Sequence, residues 1–329
     1  MTAIRLTPEV ADALHRGAPV VALESSVLAQ GLPIPVNREA ALRMTRAVRD
    51  AGAVPAITAV VGGTVAAGLT DAELERFLAR EGVGKVSARD LPVAVSRGAD
   101  GATTVAASLV IAHRAGIRVF ATGGLGGVHR EPPYDESADL TELARTSVVV
   151  VCAGAKAILD LPATAERLET LGVTVVGYRT WELPGFFTVA TGIRVTARAE
   201  SAAGIAAIYR AGLALGRPGA LVVVQPPPAE LALSAQVVDA AVERALERAR
   251  AEGVRGAGVT PFLLAAVERE TDGRSLEVNL ALLESNARLA AGVASALAAL
   301  PGAGDDETTT LANTEGKIER GQPTERYPR

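Results

Sequence analysis

Six short runs of valine, alanine, isoleucine and leucine punctuate the chain: Val20–Leu23, Ala56–Val61, Val119–Ala121, Val148–Cys152, Val173–Val176 and Leu221–Val224. None alternates cleanly between apolar and polar residues. Each therefore predicts a strand buried on both faces, which requires a helical layer on either side of the sheet. The intervening segments supply those layers. Asn37 is placed to cap a helix over Arg38–Arg49, Thr70-Asp71-Ala72-Glu73 reads as a capping box, and Ser275 is placed to start a long last helix reaching about Leu300. The strand-helix alternation predicts a three-layer α/β/α fold around a central, mostly parallel or mixed sheet, with ligands at the carboxyl ends of the strands. No repeat or linker divides residues 1–300, so one catalytic domain is expected there, with Pro226-Pro227-Pro228 as a rigid loop. Residues 301–329 are polar and turn-rich, and are expected to form a flexible tail.

Composition narrows the function classes. Of 329 residues, 49% are hydrophobic, enough for a large core. The net charge of −4 argues against a nucleic-acid-coating protein, and no apolar run is long enough to span a membrane. The opening MTAIRLTPEV lacks the pattern of a signal peptide, and Cys152 stands alone, so a soluble, cytoplasmic protein in a reducing compartment is expected.

Lysine usage is unusually sparse. Of 33 basic residues only Lys85, Lys156 and Lys317 are lysines. A chain that meets its other needs for positive charge with arginine keeps a lysine where deprotonation is useful, because arginine cannot lose its proton. Lys156 follows the Val148–Cys152 strand after the small residues Ala153-Gly154-Ala155, where it is expected to open the next helix and act as a nucleophile; an ion pair with Asp160 is the plainer alternative. Lys317 falls in the tail.

Other candidates lie at comparable places. Thr122-Gly123-Gly124-Leu125-Gly126-Gly127 leaves a strand and offers backbone amides to an anion, with His129 and Arg130 adding charge. Asp135 and Asp139 flank Ser137 at a helix start, as oxygen ligands for Mg²⁺ or Mn²⁺ or as helix-capping acids. Lys85, in a glycine-flanked turn, and the Thr103-Thr104-Val105 helix start suggest a phosphate clamp. Glu24 closes a strand, as a general acid or a structural carboxylate. Asn279 and Asn286 share one face of the last helix and need partners from the core or a ligand. His113 is expected in the core and His15 at the surface.

With these residues in view, the chain resembles the pseudouridine-5'-phosphate glycosidase (pseudouridylate synthase) family. The blocks VALES with GLP (Val21–Pro33), GAVPAITAVVGG (Gly52–Gly63), KVSARDLP (Lys85–Pro92), GATTVAASLVIAHRAGI (Gly101–Ile117), VFATGGLGGVHR (Val119–Arg130), ESADLTELART (Glu136–Thr146), VVCAGAKAILDLP (Val151–Pro162), VTPFLLA (Val259–Ala265) and SLEVNLALLESNARLA (Ser275–Ala290) carry the likeness in order. The resemblance implies an indigoidine synthase A-like fold and a lyase. Its reaction is the reversible conversion of pseudouridine 5'-phosphate and water to uracil and ribose 5-phosphate. It further implies Lys156 as the Schiff-base nucleophile, Glu24 as proton donor and Asp135 as ligand to a largely hydrated Mn²⁺, or another divalent metal such as Mg²⁺. Lys85, Thr104, Val105, Thr122, His129, Ser137, Ala138, Asp139 and Asn279 are implied as substrate-binding, and the assembly as a homotrimer. The family usually reads ALEST followed by a THG element; here Ser26 keeps the hydroxyl and Gln30 stands in place of the histidine. A Schiff-base aldolase on a (β/α)₈ barrel and a non-catalytic phosphosugar-binding or indigoidine-pathway accessory protein are the competing expectations.

Overall fold

Eleven strands pair into one mixed sheet in a computed structural model that describes residues 4–131, 134–254 and 258–300. Along the main path the order is Arg5–Leu6, Thr64–Ala67, Val54–Val61, Val20–Glu24, Val119–Ala121, Val149–Cys152, Leu221–Val224, Thr174–Tyr178 and Ala197–Ala199. From Val54–Val61 to Ala197–Ala199 the neighbours run parallel. Thr64–Ala67 and Asp100–Thr103 each pair antiparallel with part of Val54–Val61, and Val83–Val86 lies parallel beside Asp100–Thr103. All six apolar runs are strands, Val119–Ala121 and Leu221–Val224 with the expected ends and the other four with ends moved by one or two residues. An open sheet of this kind is not a (β/α)₈ barrel, which removes the barrel aldolase.

The strand side chains divide by the two-residue period between two cores. Val21, Leu23, Val149, Val151 and Val223 enter one core, together with the helices Val36–Asp50, Ala202–Ala214, Ala235–Ala251, Val259–Glu270 and Arg274–Ala298. Ala22, Phe120, Val150, Cys152 and Val222 enter the other, against Pro8–His15, Val105–Arg114, Ala138–Arg145 and Leu161–Thr170. These are the three layers expected. Burial pushes the Cys152 thiol up to about 12, so it packs as a small hydrophobe. No helix among the described residues is long and apolar enough to cross a membrane. The expected tail, with Lys317, lies outside the described residues.

The capping box forms, with Glu73 N donating to Thr70 Oγ1 at 3.3 Å and Thr70 N to Glu73 Oε2 at 2.9 Å. Asn37 is no cap: it lies inside Val36–Asp50, where its Nδ2 donates to the carbonyls of Leu28 (3.0 Å) and Leu78 (2.9 Å). The last helix begins at Arg274 after Gly273, whose φ of 78° is left-handed, and Ser275 is buried within its first turn. His113 is exposed, because the inward face of Val105–Arg114 is completed by Ile111 and Ala112. His15 is at the surface as expected.

Candidate active site

Glu24 is the last residue of its strand, and only 4% of it is exposed. Both carboxylate oxygens are held. Thr122 Oγ1 donates to Oε1 at 2.5 Å from the end of the neighbouring parallel strand, and Ser26 Oγ donates to Oε2 at 2.8 Å. Behind them a buried hydroxyl network fixes the local backbone: Ser25 Oγ donates to Thr58 O (2.6 Å), Thr103 Oγ1 to Thr58 O (2.8 Å), and Thr103 N to Ser25 Oγ (2.8 Å). Thr122 is fully buried and engaged with Glu24. It therefore orients the carboxylate.

Two adjoining cavities open beside Glu24 at the carboxyl ends of the strands, and Glu24, Ser26, Lys85, Lys156 and Thr260 line both. The larger, about 240 Å³, also takes in Thr104, Val105, His129, Ser137 and Asp139. The smaller, about 50 Å³, is walled by Gln30, Gly123, Gly124, Phe186, Pro261, Leu264 and Asn279. Both lysines among the described residues thus face one place, which fits a chain that reserves lysine for chemistry. The polar cavity collects two helix N-termini. Thr104 caps Val105–Arg114 with its hydroxyl buried and unpartnered, and Ser137 caps Ala138–Arg145. Helix N-termini beside Lys85 favour an anion by dipole and by charge.

Several expected details are different. Lys156 does not open a helix. Its amide donates to Leu125 O (3.0 Å) in a turn, and the following helix, Leu161–Thr170, is capped by Asp160, which bonds Ala163 N at 2.9 Å rather than pairing with Lys156. Lys85 lies in the Val83–Val86 strand, not in a turn. Three amides of the glycine-rich segment are spent within the protein, those of Leu125, Gly126 and Val128 donating to Gly154 O (2.9 Å), Asp139 Oδ2 (2.8 Å) and Thr164 Oγ1 (3.0 Å). Its glycines are needed for contact. A Cβ on Gly126 would press into Ser137 and Asp139, and one on Gly124 would meet Phe186 at 2.5 Å. Asp139 spans two elements, its other oxygen accepting from Ala106 N at 2.9 Å. It thereby ties the glycine-rich segment to the start of Val105–Arg114 while lining the cavity. Ala138 is exposed and outside the cavity lining.

Charge is concentrated and partly desolvated. Lys85 remains reachable by solvent, yet the surrounding walls, and then the repulsion of Lys156, hold its ammonium below its ordinary range, with Glu24 and Asp139 opposing. Burial likewise lowers His129, against the pull of Asp135 and with Lys156 and Lys85 assisting. No group of three His, Cys, Asp or Glu side chains that could hold a metal forms among the described residues. Asp135 is half-buried near His129, whose amide donates to Asp135 O at 2.9 Å. A single carboxylate fits only a hard ion that keeps most of its water, and it is wrong for a closed zinc site.

The two asparagines of the last helix separate cleanly. Asn286 is a satisfied core residue: Nδ2 donates to Thr122 O (2.8 Å) and Oδ1 accepts from Gln225 Nε2 (2.9 Å). Asn279 has a buried Oδ1 without a partner and faces the small cavity. Sequence reasoning missed Thr260, Phe186, Arg89 and Asp90 in the lining. Phe186 packs edge-on against Phe187 with ring centroids 4.7 Å apart. Nothing in its local pattern signals a site, because the contact that matters comes from Gly124, far along the chain.

Comparison with known proteins agrees with this fold. Residues 9–296 match the family model described as indigoidine synthase A like protein. The chain is 62% identical over 293 residues to a protein from Gemmatimonas aurantiaca called pseudouridine-5'-phosphate glycosidase, covering 89% of this chain and 96% of the relative. It is 54% identical to one of the same description from Herpetosiphon aurantiacus, covering 90% and 99%. Among solved structures, it is similar to the prealnumycin C-glycosynthase AlnA in complex with ribulose 5-phosphate (40% identity, TM-score 0.84, 91% of this chain and 98% of that one). It is also similar to an indigoidine synthase A-like protein from Thermotoga maritima (39% identity, TM-score 0.83, 90% and 97%). The chain belongs to the indigoidine synthase A-like family.

Proposed function

We propose that this protein is a pseudouridine-5'-phosphate glycosidase, a lyase that reversibly converts pseudouridine 5'-phosphate and water to uracil and ribose 5-phosphate. The observation that carries the reading is the shared cavity wall of Glu24, Lys85 and Lys156 beside two helix N-termini. The names of the relatives, and the sugar phosphate bound to the C-glycosynthase, support it.

A carbon–carbon glycosidic bond has no heteroatom leaving group, so protonation in the manner of ordinary glycosidases is insufficient. An electron sink at C1 is needed, and an amine supplies it. Glu24 protonates the ring oxygen as the sugar opens, and Lys156 bonds to C1. Glu24, now a carboxylate, takes a proton from the new C1–N ammonium and passes it to the base carbon, and uracil leaves as the freed nitrogen lone pair closes to an iminium. Water hydrolyses that iminium to ribose 5-phosphate and frees the amine. Lys85, Thr104, Val105 and Ser137 hold the phosphate, which places C1 toward Lys156. Asp135 would hold a largely hydrated Mn²⁺ or Mg²⁺, which would supply positive charge for an anionic substrate. Assembly as a homotrimer is part of the same reading, and light scattering would return the mass of three chains.

The test is cleavage of pseudouridine 5'-phosphate, read as free uracil by chromatography. Release by the wild type and none by Lys156→Ala is expected. No release by the wild type would leave the accessory phosphosugar-binding role in its place.

A further inference from the structure

Gln30 stands where the reactive cavity meets an adjoining one of about 290 Å³, and it lines both. Its Nε2 donates to Val83 O at 3.3 Å, which turns the amide so that Oε1 points elsewhere, and that oxygen is buried with no partner. Asn279, 8% exposed, lines the same two cavities with a second buried, unpartnered oxygen, Oδ1. Unsatisfied amides are not the habit of this region: Asn286, on the same helix, has both ends paired. Two residues that wall the same two cavities thus each carry a buried carbonyl oxygen without a donor, which an occupant with N–H groups would supply.

Resting on the function proposed above, we propose that Gln30, with Asn279, selects the base by accepting its ring N–H groups. A uracil joined to the sugar through carbon keeps hydrogen on both ring nitrogens, whereas a uracil joined through nitrogen keeps one. A pair of acceptors therefore favours the carbon-linked base, and it leaves one oxygen orphaned when the nitrogen-linked isomer enters. Gln30 serves this role because an amide tied down through its nitrogen can only accept at its oxygen.

Calorimetric titration of wild type, Gln30→Met and Gln30→His with uracil and, separately, with ribose 5-phosphate tests this. Gln30→Met keeps the length of the side chain and removes the acceptor. Uracil affinity is expected to fall about tenfold, equivalent to ~1.4 kcal/mol, with ribose 5-phosphate affinity unchanged, and Gln30→His, which restores a ring-nitrogen acceptor, is expected to recover part of the loss. Unchanged uracil affinity in Gln30→Met, or equal losses for both ligands, would overturn the proposal. Failure of the wild type to cleave pseudouridine 5'-phosphate is a separate result and counts against the function itself.

Discussion

Thr122 and Glu24 sit 98 residues apart in the chain, at the ends of adjacent parallel strands, and the threonine hydroxyl donates to the carboxylate at 2.5 Å. Ser26 holds the other oxygen. A carboxylate so clamped has one orientation, and the proton transfer proposed for Glu24 depends on it. Thr122→Val conserves volume and removes the donor. A buried hydrogen bond is worth about 1 kcal/mol net, so kcat should fall roughly five- to tenfold with KM little changed. Steady-state kinetics on a variant with unaltered circular dichroism checks it.

His129 gives a pH signature. Its folded-state pKa lies below the ordinary 6.5, chiefly because burial disfavours the imidazolium. The unfolded chain therefore takes up a proton that the native imidazole refuses. Stability from this group is present above pH 6.5 and is lost as the pH falls through the lowered native value. Without ligand, His129→Gln should flatten the decline of Tm in that acidic window and leave the slope above pH 7 unchanged, as read by differential scanning calorimetry.

The glycine-rich segment makes a steric prediction. A Cβ at Gly126 would lie 2.8 Å from Asp139 Oδ2 and closer still to Ser137 Oγ. Gly126→Ala should displace the Asp139 bridge and cost about 1–3 kcal/mol, the usual range for overpacking. Gly212, in the Ala202–Ala214 helix, has nothing within 4 Å of such a Cβ. Gly212→Ala should stabilise by about 0.4–1 kcal/mol. Urea denaturation of the pair separates close packing from general glycine effects.

Asp135 carries the metal reading alone. Equilibrium dialysis against Mn²⁺ in the presence of ribose 5-phosphate should give about one ion per chain, and Asp135→Asn should weaken that binding by tenfold or more. Weak, hydrated coordination of this kind should also be stripped readily by a chelator and restored by added Mn²⁺ or Mg²⁺.

The layers were legible in the sequence because strands such as Val149–Cys152 are buried on both faces, and an unbroken apolar run has few other uses. Lysine scarcity pointed to Lys85 and Lys156, and both line the cavity. What failed depended on distant partners. Spacing alone cannot tell that Asp139 is spent on Ala106 N and Gly126 N, or that Asn37 is spent on Leu28 and Leu78 carbonyls. Glycine clusters look alike whether they free amides or admit neighbours, and here Thr164, Ser137 and Phe186 occupy the space that side chains would fill. His113 shows a smaller limit: an apolar stretch does not reveal which helix face turns outward.

The account turns on a covalent bond between Lys156 and C1 of the sugar. Borohydride reduction in the presence of ribose 5-phosphate, followed by intact-mass and peptide mass spectrometry, measures it directly. One reduced pentose phosphate per chain on the peptide containing Lys156, and none in Lys156→Ala, is predicted. No adduct on the wild type, or one that persists in Lys156→Ala, would contradict the mechanism.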